Sequence, residues 1–91
     1  MDINERDIII LSDDNSYIVA KKINYNSVNY YCVMDIVDDE NIKFLWENNN
    51  ELIEIEDSET MEKVLITMAQ TTDISKLLEM LKKRIKENYG I

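Results

Sequence analysis

The chain has no histidine, no proline, one glycine and one cysteine among its 91 residues. Each shortage excludes something. Without His there is no imidazole general base, no His-containing triad and no imidazole metal ligand. The one glycine, Gly90, stands near the C-terminus, so a glycine-rich loop that cradles phosphates cannot be built. A single Cys allows no intrachain disulfide and no CxxC pair for metal or redox work. No apolar run approaches the roughly 18–20 residues that span a bilayer. The opening MDINERD lacks the basic and apolar regions of a signal peptide. A cytoplasmic protein without membrane contact is expected. With no Pro and one Gly, the tight turns fall to Asn, Asp and Ser, whose short side chains support turn geometry. The sequence supplies SDDNS at 12–16, NYNS at 24–27, DDEN at 38–41 and NNN at 48–50.

What is present is acid and β-branched apolar residues. Apolar residues make up 45% of the chain, which fits a globular protein. This length suits one domain, taken as residues 1–91, that buries roughly 60–70% of its unfolded surface. The net charge of −9 is uneven. Residues 1–73 hold 17 Asp and Glu against five Lys and Arg, a net of −12, whereas 74–91 carry five against two, a net of +3. From Asp35 to Glu62, 11 carboxylates face one cation, Lys43. Such a field repels nucleic acid and anionic membranes and attracts basic partners.

Val28–Val37, VNYYCVMDIV, is apolar on both alternating faces. Val28, Tyr30, Cys32, Met34 and Ile36 share one side, with Tyr31, Val33 and Val37 on the other. A strand covered on both faces reads this way, so this stretch is expected at the centre of a sheet. Residues 1–6 read as a lead-in and Asp7–Leu11 as a first strand. In Tyr17–Tyr25, simple alternation groups Tyr17, Val19, Lys21, Ile23 and Tyr25 against Ile18, Ala20, Lys22 and Asn24. Asn26-Ser27 forms a short hairpin turn. Ile42–Glu47 sets Ile42, Phe44 and Trp46 against Leu45. Glu51–Glu56 sets Ile53 and Ile55 against Glu54 and Glu56. Turns this short imply antiparallel neighbours.

The period then changes from 2 to 3.6. A helix over 58–70 takes Ser58 as N-cap and Met61, Val64, Leu65 and Met68 as its buried stripe. Thr72 or Asp73 caps a second helix over 74–88, with Ile74, Leu77, Leu78, Leu81 and Ile85 buried and Gly90 as the stop. Its last turns carry Lys82, Lys83, Arg84 and Lys86, suited to the negative end of the helix dipole. The expected fold is α+β: an antiparallel meander of about five strands over 7–56, packed by one or two C-terminal helices.

No constellation reads as an active site. Asp38-Asp39-Glu40-Asn41 lacks the Gly and closing Glu of a calcium loop and reads as a solvated turn, so no metal or other cofactor is expected. Glu54 and Glu56 sit on a wet edge that cannot split their pKa values. Cys32 lies in the strand expected to be most buried, where it acts as a small hydrophobe. Lys21-Lys22 beside Tyr25, Tyr30 and Tyr31 suggests base stacking, but the surrounding charge opposes nucleic acid. Trp46 reads as core or as a partner contact. The basic end of the second helix docks on this chain's own sheet, on a second copy as a homodimer, or on a partner.

The runs INYNSVNYYCVMDI (23–36) and ELIEIEDSETMEKV (51–64) resemble the YrzB-like family, a small acidic bacterial domain of unknown function. The resemblance covers about residues 7–64, and the helix at 74–88 lies beyond the family's usual pattern. It implies a strand, an acidic turn, an aromatic-bearing hairpin and an acidic close before a helix, with no reaction, cofactor or site. The functional expectation is a non-enzymatic protein that presents a carboxylate surface to a basic protein partner: Asp38, Asp39, Glu40, Glu47, Glu51, Glu54, Glu56, Asp57 and Glu59. The alternative is a nucleic-acid mimic, of the phage or mobile-element type that blocks a CRISPR or restriction nuclease by filling its basic groove.

Overall fold

Strand-forming runs separated by Asn- and Asp-rich turns pair in the order in which they are made. The computed structural model describes residues 2–89. Five strands, β1 (Ile8–Ile10), β2 (Ser16–Tyr25), β3 (Val28–Asp35), β4 (Ile42–Asn48) and β5 (Glu51–Glu54), form one antiparallel sheet in sequential order. Two helices follow, α1 (Ser58–Ala69) and α2 (Ile74–Tyr89). The α+β meander expected from the sequence is the fold, and the expected central strand, β3, is the middle one.

The turns work without glycine. Asn26 and Ser27 both take positive φ, 51° and 63°, as do Asn49 and Asn50 at 50° and 65°. Two consecutive left-handed residues make the type I′ turn, whose twist matches that of the flanking strands. Asn tolerates this region better than most non-glycine residues. The NNN triplet and Asn26 therefore set the registers Asn48↔Glu51 and Tyr25↔Val28.

The register corrects simple alternation in β2. A β-bulge between Val19 and Lys21 lets Val19 face Val33 and Lys21 face Cys32. A bulge inserts one residue and so inverts every side chain after it. Ile23 therefore packs with Ile18 and Ala20 against the helices, not with Tyr17 and Val19. Lys22 lands on the opposite face, with its ammonium 5.8 Å from the Tyr31 ring.

Both faces of β3 are buried, but by different means. On the helix face, Ile18, Ala20, Cys32, Met34 and Ile55 pack against Val64, Met68, Leu77, Leu81 and Ile85. On the other face, Tyr17, Val19, Tyr31, Val33 and Leu45 are covered by Ile3, Ile9, Leu11 and Leu52. Ile9 of β1 and Leu52 of β5 come from opposite edges of the sheet, so the sheet curls around this inner face. The lead-in is thus part of the core. Ile3 is 8% exposed, and its carbonyl accepts from Lys22 Nζ at 2.7 Å. Arg6 Nη1 donates to the carbonyl of Ala20, at the bulge, at 2.6 Å.

The helices are capped one position away from expectation in one case. Asp57, not Ser58, is the N-cap of α1: its Oδ2 accepts from the Thr60 N–H at 2.8 Å and the Thr60 hydroxyl at 2.6 Å. Both residues are good caps, and Asp57 has Thr60 three positions on. Asp73, of the two candidates, caps α2 by accepting from the Lys76 N–H at 3.2 Å. Leu65 falls outside the buried stripe, at 38% exposed. The expected stop at Gly90 lies outside the described residues.

Candidate functional site

Antiparallel pairing of Tyr17 with Asp35 brings the β1–β2 turn alongside the β3–β4 turn at one end of the sheet. A chain of polar side chains ties the two together. Asp35, 3% exposed, accepts on Oδ1 from the N–H groups of Val37 at 2.8 Å and Asp38 at 3.2 Å, and on Oδ2 from Asn41 at 3.2 Å. Asn41 Nδ2 also donates to the Tyr17 hydroxyl at 3.0 Å, which in turn donates to Asp13 Oδ2 at 2.5 Å. Lys43 lies 3.4 Å from both Asp13 and Glu54, and so links the β1–β2 turn to β5 across the inner face.

The electrostatics follow from these partners. Burial pushes the Asp35 carboxyl up, but the Val37 and Asp38 amides and Asn41 outweigh it and hold it below its ordinary value. The Tyr17 hydroxyl holds Asp13 low, and burial followed by the Asp13 bond raises Tyr17. Burial alone would lower Lys43; the Glu54 carboxylate reverses this and raises it. Each charge is stabilised as it stands. That is how a structural network behaves, since an acid–base pair needs environments that push two groups apart.

The suspected partner-binding carboxylates fall into separate groups. Asp38, Asp39 and Glu40 lie on the β3–β4 turn, beside Asp13 and Asp14. Glu47 and Glu51 lie at the opposite end of β4, by the Asn49-Asn50 turn. Glu54 is on the inner face, while Glu56, Asp57 and Glu59 lie at the junction of β5 and α1. Several already have work inside the molecule. Glu47 Oε1 accepts from the Tyr31 hydroxyl at 2.7 Å, a bond that holds Glu47 below its ordinary value. Glu54 pairs with Lys43 and Glu59 with Lys63. Asp57 is the α1 cap, and Asp38 accepts from the Glu40 N–H at 3.3 Å. Asp39 lies 4.0 Å from Lys86. Glu40, Glu51 and Glu56 are exposed, and their carboxylates make no bond among the described residues.

The other candidates resolve in the same way. The Cys32 thiol is fully buried, and burial pushes it up to about 12. Lys21 pairs with Glu5 at 3.7 Å, and Lys22 is held by Ile3 and Tyr31. Lys82 pairs with Glu79 within α2 itself, and Lys86 reaches Asp39 of the β3–β4 turn at 4.0 Å. Among the described residues no group of three or more Asp, Glu, Cys or His is placed to hold a metal ion. No helix there is long and apolar enough to cross a membrane. Sequence reasoning missed the Asp13–Tyr17–Asn41–Lys43 chain, whose members are scattered and meet only through the strand register.

Scanned against protein-family models, curated proteins and solved structures, the chain shows no match.

Proposed function

We propose that this chain is a non-enzymatic interaction protein that presents the carboxylates between Asp38 and Glu59 to a basic protein partner. One observation carries the reading: Glu40, Glu51 and Glu56 stand exposed without an internal partner, in a stretch where Lys43 is the single cation and is itself held by Asp13 and Glu54. Uncompensated surface carboxylates destabilise a fold through self-repulsion while raising association rates with cationic partners. A buried thiol raised to about 12 and the lack of His leave no ready nucleophile–base pair. Kinship with the YrzB-like domain belongs to the same reading and rests on the runs at 23–36 and 51–64.

The test uses the immobilised chain and a triple reversal, Glu40→Lys, Glu51→Lys and Glu56→Lys. None of the three bonds internally, so the variant keeps the fold. The expected result is a protein captured from the source cell's lysate by the native chain, released by salt and lost by the variant. Capture that survives the reversal overturns the reading. Mimicry of nucleic acid is the special case in which the captured partner binds DNA or RNA and is released by it. The same charge density between Asp35 and Glu62 favours that case, and a partner indifferent to nucleic acid removes it.

A further inference from the structure

Tyr30 and Trp46 stand opposite each other on β3 and β4. The Asp35 N–H bonds the Asn41 carbonyl, so alternation makes Tyr30/Trp46 a non-hydrogen-bonded pair, the closer kind, whose side chains lie side by side. Both rings pack on the margin of the helix-face core and remain partly exposed. Beside them the sheet runs out from under the helices. There Val28, Glu54, Ile55, Glu56, Asp57 and Thr60 complete a groove of about 300 Å³.

The groove has aromatic and aliphatic walls, a carboxylate rim and no cation. No Lys or Arg lines it. Asp57 is committed to Thr60 as the helix cap and Glu54 to Lys43, so Glu56 is the unengaged carboxylate. Asp57 and Glu59 also offset the positive end of α1. The indole N–H of Trp46 and the hydroxyl of Tyr30 have no hydrogen-bond partner among the described residues, and neither is sealed from solvent. A cation over an indole or phenol face is attracted by the ring's negative π surface, most strongly at Trp. A guanidinium adds planar stacking and two-point contact with a carboxylate, which an ammonium lacks.

We infer that this groove receives an arginine side chain of the protein partner. The guanidinium lies against Trp46 and Tyr30, the aliphatic stem against Val28 and Ile55, and the carboxylate of Glu56 closes the pair. The inference rests on the acidic-surface reading and names the partner's contact chemistry. Charge complementarity selects the occupant: a groove with a free carboxylate, in a stretch with 11 carboxylates and one Lys, repels an acidic side chain and attracts a cationic one.

Trp46 is the only Trp in the chain, so its fluorescence and its indole N–H resonance report on this groove alone. The probe is a blocked Ser-Ser-Arg-Ser-Ser peptide, beside versions with Lys or the neutral isostere citrulline at the centre. The arginine peptide is expected to shift both Trp46 signals saturably. Lysine should bind more weakly, and citrulline about tenfold or more weakly. Glu56→Gln should weaken arginine about threefold, with the amide resonances of the free protein away from the substituted position unchanged. Trp46 signals that ignore the arginine peptide, respond equally to citrulline, or are indifferent to Glu56→Gln overturn the inference. So does a Trp46 shift that grows with protein concentration and vanishes in Arg84→Ala, which makes the occupant a second copy. The two readings fail separately. Capture lost by the triple reversal with Trp46 silent to arginine leaves the acidic surface and removes the groove. Arginine binding at Trp46 with no salt-sensitive capture does the reverse.

Discussion

The helix face of the sheet buries an almost purely apolar core, whereas the inner face buries tyrosines and places charges around them. Cys32 is the one titratable group among the buried residues of the helix-face core. The inner face holds Tyr17 and Tyr31 fully buried, with Asp13, Lys22, Lys43 and Glu47 at their rims. The difference follows from what covers each face. Two amphipathic helices supply long apolar stripes, so the helix face needs no polar closure. The inner face has only the curl of the sheet, a three-residue edge strand and Ile3. Lys43 reaching Asp13 and Glu54, and Tyr31 reaching Glu47, close what apolar cover does not. Tyrosine suits this role, having a large apolar ring and a polar tip that finds a partner at the boundary.

The largest expected effect is on the helix face. Leu81 is fully buried, so Leu81→Ala should cost about 2–5 kcal/mol in chemical denaturation. Ile3→Ala sharpens the comparison. If Ile3 closes the inner face as an integral core residue, the cost is about 2 kcal/mol and unfolding stays one cooperative transition. A cost below about 0.5 kcal/mol, the scale of ordinary surface changes, would show that the inner face is shut without its strap, and the contrast in cover would fail.

The helix face was also the more legible of the two. Runs of period 2 changing to 3.6 at Ser58 marked the strands and helices, and the Asn-rich turns marked the hairpins. Cys32, Met34, Phe44 and Leu81 were placed correctly by periodicity alone. Ile3 was not, because one apolar residue in a polar stretch has no period to reveal it. Nor was the bulge at Ala20, since an inserted residue looks like any other until the partner strand is in register. The same limit governed the candidate site. Charge is written in the sequence, so Glu47, Glu54 and Asp57 could be listed as carboxylates. Their bonds to Tyr31, Lys43 and Thr60 depend on neighbours that only the register, or the geometry of a cap, brings within reach.

Removing one inner-face hydroxyl should have a moderate effect. Tyr17→Phe leaves Asp13 without its shortest partner and removes one of the bonds made by Asn41. The expected cost is about 1–2 kcal/mol. The helix face offers no equivalent, so a cost near zero would mean that the Lys43–Asp13 pair and the backbone bond from the Ile36 N–H to the Ser16 carbonyl hold this end of the sheet, and that the buried tyrosine contributes only its ring.

The smallest effects at neutral pH separate the faces by the direction in which they fail. Asp13, Asp35 and Glu47 are held below their ordinary values of 3.8, 3.8 and 4.5. A carboxyl with a depressed folded pKa stabilises fully above its unfolded value and loses that contribution as pH falls through the folded one. Stability should therefore be flat in these groups from pH 7 to about 5 and decline in acid, with Tyr31→Phe removing the share that belongs to Glu47. Cys32 runs the other way. Its thiol is raised from 9.0 to about 12 by burial, so its contribution is complete below 9 and drains away as pH climbs, because the unfolded chain ionises first. Cys32→Ala should be less stable at pH 7 through the lost packing of a buried side chain, yet its stability should fall less between pH 9 and 10 than that of the native chain. That difference of slopes, read from denaturation midpoints at each pH, assigns the first part of the alkaline limb to the helix face, while the acid limb is shared between the inner-face carboxyls and Asp57, which its bonds to Thr60 at the α1 cap hold below its ordinary value. Parallel slopes would place the alkaline loss on the tyrosines and Lys43 of the inner face instead.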